Sequence, residues 1–369
     1  MGKVRYIETL RPKTTSQAGA VPIIYLDHAA TTPMLAPARE AWLEGAAIWA
    51  NPSSPHAPGR AARAALEDAR ARVKTALGWE GEVLFTSGAS EALAMGLGRA
   101  KAQRRLVSAV EHDAVFRAAP DAEVLPVVGG ELALQPLADA LAQPGRAVAA
   151  VQSINSETGT VLLPCGTSPV AAQVREAGGL LLADCSQSAG KTLLPDADLI
   201  VVSAHKLGGP VGIGALLVRD FAMLEPSGGQ ERGYRAGTEN LPAVLAFAAA
   251  LEAGGIESWA TSAEQRLDFR NRLQAHGKVL QPGAQCSHIF AVAAPKMSAT
   301  AMLIRMDGLG FAISAGSACS SGTLKQSHVL QGFGIDADLA KRTVRVSMGW
   351  STTAQDLDAF ADAWAKVNA

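Results

Sequence analysis

From about Val21 the chain alternates short apolar, often β-branched runs with amphipathic stretches. The runs predict strands over Val83–Thr86, Leu106–Val110, Val148–Gln152, Leu180–Ala183, Leu199–Ser203 and Gly214–Val218. The spacing between them predicts helices over Arg60–Leu77, Glu91–Arg99 and Val170–Glu176. Runs without polar alternation are buried on both faces, and strand–helix alternation implies a mostly parallel sheet covered by helices. Ligands of such a sheet bind beyond the carboxyl ends of its strands. Near residue 253 the pattern changes, where a helix over Leu241–Glu252 stops at Ala253-Gly254-Gly255. Beyond it long apolar strands are fewer. The chain closes on a helix whose Leu357, Phe360, Trp364 and Val367 share one face, with Thr353 as its cap. The expectation is a large domain over 21–253, a smaller one over 254–369, and an N-terminal arm, 1–20, of no assigned allegiance.

Composition narrows the functional classes. With 369 residues, nearly half hydrophobic, and a net charge of −1, there is enough chain for a large core and no electrostatic case for nucleic acid or membrane surface. No apolar run reaches the ~20 residues of a membrane span. The first 20 residues carry Lys3, Arg5, Arg11 and Lys13 without an apolar core, which argues against a secretory signal. Cys165, Cys185, Cys286 and Cys319 are far apart, with no Cys/His ligand spacing. That pattern points to reduced thiols in a cytoplasmic setting and against a metal site.

The chemistry collects at strand ends. Leu199–Ser203 runs directly into Ala204-His205-Lys206 and then a Gly/Pro-rich segment. A lysine at the mouth of a buried strand is costly to keep as a cation and suits covalent use, although alone it reads more readily as a surface lysine in a loop. Thr86-Ser87-Gly88-Ala89-Ser90-Glu91 is a small-residue turn into a helix, either an ordinary cap or a phosphate seat. Glu111-His112-Asp113 and Asp184-Cys185-Ser186-Gln187 follow two other strands. Together they offer donors for phosphate, an imidazole, an acid for a pyridine nitrogen and a lysine for Schiff-base formation. Those are the parts needed to hold pyridoxal 5′-phosphate (PLP).

Several segments resemble signatures of cysteine desulfurases of the NifS/IscS-like group, class V aminotransferases among the fold-type I PLP enzymes. They are Leu26-Asp27-His28-Ala29-Ala30-Thr31-Thr32-Pro33, Asn51-Pro52-Ser53-Ser54-Pro55-His56, Ser203-Ala204-His205-Lys206, Gly228-Gly229-Gln230-Glu231-Arg232-Gly233, Arg235-Ala236-Gly237-Thr238-Glu239-Asn240 and Gly316-Ser317-Ala318-Cys319-Ser320-Ser321-Gly322, together with the turn beginning at Thr86. The resemblance covers residue 24 onward. It implies an α/β fold, the fold-type I PLP-dependent transferase: a large domain with a mostly parallel seven-stranded sheet and a smaller α+β C-terminal domain. It further implies conversion of L-cysteine to L-alanine, an obligate homodimer and a sulfur-acceptor protein. By the same resemblance Lys206 is the Schiff-base lysine, Asp184 faces the pyridine nitrogen, Gln187 the phenolic oxygen, and His112 stacks on the ring. Ala89, Ser90, Ser203 and His205 hold the phosphate, with Thr238 from the partner subunit, and Arg345 grips the substrate carboxylate. Cys319, in a Ser/Gly-rich loop expected to be exposed, takes the sulfur as a persulfide.

Three departures stand out. Ser156 in Asn155-Ser156-Glu157-Thr158-Gly159 replaces an asparagine that reaches cofactor and substrate in the family, the stretch 219–228 is short, and no tail follows the last helix. The alternatives left open are a related class V enzyme (selenocysteine lyase or small-amino-acid aminotransferase) and a weakened dimer serving sulfur assembly as an interaction partner.

Overall fold

The computed structural model describes residues 23–316 and 327–369. Cys319 and the N-terminal arm lie outside the described residues. The described residues divide into two units, one formed by Met34–Asn155 and Val161–Gly255, the other by 23–33, Ser156–Thr160 and the described part of Ile256–Ala369.

The first unit is built on a seven-stranded sheet. Its strands are β1 (Glu82–Thr86), β2 (Arg104–Ser108), β3 (Glu123–Leu125), β4 (Ala147–Gln152), β5 (Leu180–Asp184), β6 (Leu199–Ser203) and β7 (Gly214–Val218). They lie in the order β1-β7-β6-β5-β4-β2-β3. All pairings are parallel except those of β7, which runs antiparallel to both β1 and β6. Every residue of β4 to β7 is buried, which is why their sequences are continuous apolar runs. The helix Ala89–Gly98 packs its Ala92, Leu93 and Leu97 with Leu182, Val201 and Leu216 of the sheet in one core. The helix Ala57–Leu77 starts with His56 as its cap and ends at Gly78, left-handed at φ 61°.

The sequence pattern finds six of these strands, with starts within two residues of those observed. It misses β3, a three-residue edge strand in which Glu123 and Val124 are exposed and only Leu125 is buried. Too short to show periodicity, it is visible only through its pairing with β2.

The second unit has a four-stranded antiparallel sheet of β8 (Lys278–Leu280), β9 (Ile289–Ala293), β10 (Ser314–Ala315) and β11 (Thr343–Ser347), in the order β8-β9-β11-β10. Phe269, Phe290, Phe311, Phe360 and Trp364 form its aromatic core. The closing helix, Ala354–Asn368, begins with a capping box in which Thr353 and Asp356 satisfy each other's backbone amides.

The expected boundary at the N-terminal side needs correction. Residues 23–33, assigned above to the large domain, belong with the C-terminal unit. Ile24–Tyr25 pairs in parallel with Phe311–Ala312, and Leu26 is fully buried in the aromatic core. Two paired residues leave no periodic signature, so the segment reads locally as a leader into the large sheet. Ser156–Thr160 also crosses to this unit, with Cys286 N donating to Gly159 O at 2.8 Å.

Candidate active site

In the first unit the predicted site residues converge where β1, β5 and β6 end and β2 gives way to a loop. Lys206 and His205 occupy a single 3-10 turn, Ala204–Lys206, that follows β6 without an intervening residue. Close approach makes this corner possible. A side chain at Gly214, which opens β7, would lie 2.6 Å from Val202 O and 2.9 Å from Gly88 Cα. Only a glycine lets the β6–β7 ladder and the Gly88 turn meet there.

Asp184 is the last residue of β5. Its Oδ1 accepts from Ser186 N at 2.9 Å and from Ser186 Oγ at 2.5 Å. One strand over, Gln152 ends β4 directly opposite Asp184. Gln187 is buried just beyond, and its carbonyl accepts from Lys191 Nζ at 3.0 Å. His112 caps the short helix Asp113–Ala118, its Nδ1 accepting from Ala114 N at 3.1 Å. An imidazole that accepts at Nδ1 carries its proton on Nε2. Burial holds His112 below the usual histidine range, with Lys206 acting in the same direction and Asp184 against it. His205 is depressed further, to about 4, by burial and then by Lys206 and Lys191. Both imidazoles are therefore neutral at pH 7.

Ala89 and Ser90 open the helix Ala89–Gly98, and its cap residue Gly88 has φ 149° and no side chain to occupy the amides. A Cβ at Gly88 would meet nothing within 4 Å, so the space before the helix is open. Ser203, the last residue of β6, is buried. The seat combines uncapped amides, two hydroxyl residues and a neutral imidazole, a donor set suited to a phosphate. With both Asp184 and Lys206 within electrostatic range of His112, the residues present fit PLP. Thr238 is an exposed loop residue before the helix Leu241–Ala253.

Glu111, which the sequence reading left without a role, is a further member of the cluster. It is fully buried, and its Oε1 accepts from Ser108 Oγ at 2.5 Å and from Gln152 N at 2.9 Å. Burial, aided by Asp184, pushes its carboxyl up to about 8, so it holds a proton at neutral pH. The signal for it was its place at a strand end beside His112. Cys185 is fully buried with its thiol pushed up to about 12, an inert packing residue.

Arg345 and Ser156 belong to the second unit. Arg345 lies on β11 with its side chain inside the unit, where Nη2 donates to Asp27 Oδ1 at 2.7 Å and Nη1 to Ser156 O at 3.0 Å. Ser156 thus meets Arg345 through its main chain. The neighbouring Glu157 is buried and accepts from Ser327 Oγ at 2.6 Å, and a side chain at Gly316 would collide with its carboxylate.

Three comparisons bear on the arrangement. Residues 24–360 match the family model Aminotransferase class-V. A cysteine desulfurase from Frankia sp. (strain EuIK1) is 36% identical, over 94% of this chain and 91% of the relative. The X-ray structure of a NifS-like protein from Rickettsia africae ESF-5 superposes with a TM-score of 0.81 at 25% identity, covering 94% of this chain and 99% of that one. SspA in complex with cysteine superposes at 0.74 with 26% identity, over 88% of this chain and 99% of that one.

Proposed function

Because the chain belongs to the class-V aminotransferase family, in its NifS/IscS-like cysteine desulfurase group, we propose that it is a PLP-dependent enzyme converting L-cysteine to L-alanine, with the sulfur passing to its own Cys319. The observation that carries the reading is the cluster of Lys206, His112 and Asp184 at the strand ends, beside an uncapped helix N-terminus. The solved complex of the similar SspA with cysteine supports the choice of substrate.

Ala89, Ser90, Ser203 and His205 would hold the phosphate, Asp184 the pyridine nitrogen, Gln187 the phenolic oxygen and His112 the ring face. When bound, the cofactor supplies an electron sink next to the substrate Cα. The Asp184 carboxylate would favour a protonated pyridine nitrogen, and neutral Glu111 adds no second negative charge beside it. Lys206 Nζ takes the proton from Cα. Arg345 orients the substrate through its carboxylate. The Cys319 thiolate then attacks the substrate sulfur. The new S–S bond forms as the Cβ–S bond breaks, and the carbon keeps the electron pair and takes up a proton to become alanine. The reading extends to a homodimer in which Thr238 completes the partner's phosphate seat, to a cytoplasmic setting and to a sulfur-accepting protein. Exposed Trp42, Leu43 and Trp49, on and just after the helix Ala36–Ala47, support a subunit contact.

The test is a paired one. Lys206→Ala should abolish the visible-edge absorbance of the holoenzyme and all turnover. Cys319→Ser should keep the absorbance and lose alanine formation from cysteine, and sustained alanine formation would sink the sulfur-transfer step.

A further inference from the structure

The residue read as the receptor for the substrate carboxylate already has a carboxylate. Asp27 accepts from Arg345 Nη2 at 2.7 Å, and Ser156 O takes Nη1. Arg345 Nε is buried with no acceptor among the described residues. The arginine as a whole is 8% exposed, and the aspartate side chain 19%.

Asp27 is fixed in place by its backbone. It bridges Ser347 in parallel, two residues along β11 from Arg345, and Leu26 before it is fully buried. Ala29 N donates to Ser347 Oγ at 2.9 Å on the other side. Tyr25 lies alongside, its hydroxyl donating to Asp27 O at 3.1 Å and to Thr31 O at 2.8 Å. Burial first and then Asp27 push that phenol up to about 12, so it stays neutral and the local charge is that of the Arg345–Asp27 pair.

We propose that Asp27 is a resident counter-ion of Arg345 with which substrate and product carboxylates must compete. The inference rests on Arg345 as the carboxylate receptor. An arriving carboxylate meets a neutral pair whose buried Nε–H has no acceptor among the described residues, and is repelled by Asp27 at close range. A bare guanidinium would bind carboxylates more tightly and release the product alanine more slowly. Asp27 therefore keeps the receptor ordered and loose, which favours turnover when substrate is plentiful.

The test uses the holoenzyme and follows ligand binding through cofactor absorbance, with L-alanine as the carboxylate ligand and L-alaninamide as its neutral counterpart. Asp27→Asn keeps an acceptor and removes the charge, and should tighten L-alanine about tenfold with L-alaninamide unchanged. Asp27→Ser, a second neutral variant, should do the same, and Asp27→Glu should keep the weak wild-type affinity. L-alanine affinity that is unchanged or lower in both neutral variants, while Arg345→Gln does weaken it, overturns the counter-ion and leaves the receptor standing. L-alanine affinity untouched in Arg345→Gln overturns the receptor reading and the counter-ion with it.

Discussion

Among the described residues each unit buries one arginine against a carboxylate, and the two pairs are finished differently. In the sheet unit every nitrogen of Arg70 has an acceptor. Its Nη1 reaches both Glu231 Oε2 at 2.7 Å and Val83 O at 2.6 Å, Nη2 reaches Glu231 Oε1 at 3.1 Å, and Nε reaches Glu67 at 3.0 Å. The guanidinium also lies over the Phe85 ring, 4.7 Å from its centroid. Glu231 is equally engaged, accepting from Phe85 N at 2.9 Å. In the other unit Arg345 keeps a buried Nε without an acceptor among the described residues, and Asp27 is within reach of solvent. A saturated pair is a rivet, and one with a donor to spare is a receptor. The rivet holds strain as well, since Glu231 and Arg232 are consecutive non-glycine residues at φ 46° and 58°.

If the distinction is sound, breaking the rivet has the largest effect. Glu231→Ala leaves the buried Arg70 with Glu67, itself one-third exposed, as its remaining carboxylate and should cost about 3–5 kcal/mol in urea denaturation. A loss below about 1 kcal/mol would erase the contrast between the pairs. Glu111 sharpens it next, as a buried carboxyl set among the neutral donors Ser108 and Gln152 beside the like charge of Asp184. Its folded value, raised to about 8, means that the native state keeps a proton the unfolded chain has released. Stability should fall as pH rises from the ordinary carboxylate range to about 8, by on the order of 1 kcal/mol per pH unit at most. Glu111→Gln should flatten that slope, seen by melting at several pH values. The smallest effect is expected for Arg345→Leu. Asp27 can then hydrate, so the stability change should stay within about 1 kcal/mol, a loss concentrated in ligand binding.

How much of this could be read from residues alone depends on the distance over which each feature is made. The strand ends were legible because the chemistry follows each strand immediately, as Lys206 follows β6 and Asp184 closes β5. Thr353 was legible as a cap because its partner, Asp356, is three residues on. The Arg345–Asp27 pair joins residues 318 apart, and nothing local at either end announces it. The transfer of residues 23–33 to the C-terminal unit was hidden for the same reason, a two-residue strand whose only signature is its distant partner. Glu111 was in view yet silent, because a carboxyl beside a histidine does not disclose that it is wholly buried.

The antiparallel β7 has a consequence for the order in which the protein assembles. Because it returns alongside β6 with Gly214 opposite Ser203 and Val218 opposite Leu199, the turn bearing Lys206 is the closed end of a hairpin with a ten-residue loop. Loops of that size close in about 10–100 ns, and hairpins form within microseconds. The parallel neighbours, and above all the pairing of Asp27 with a strand over three hundred residues away, carry the slow, non-local part of the folding barrier. The corner that carries the lysine can thus be one of the first parts of the chain to take its final shape, and the carboxylate receptor one of the last.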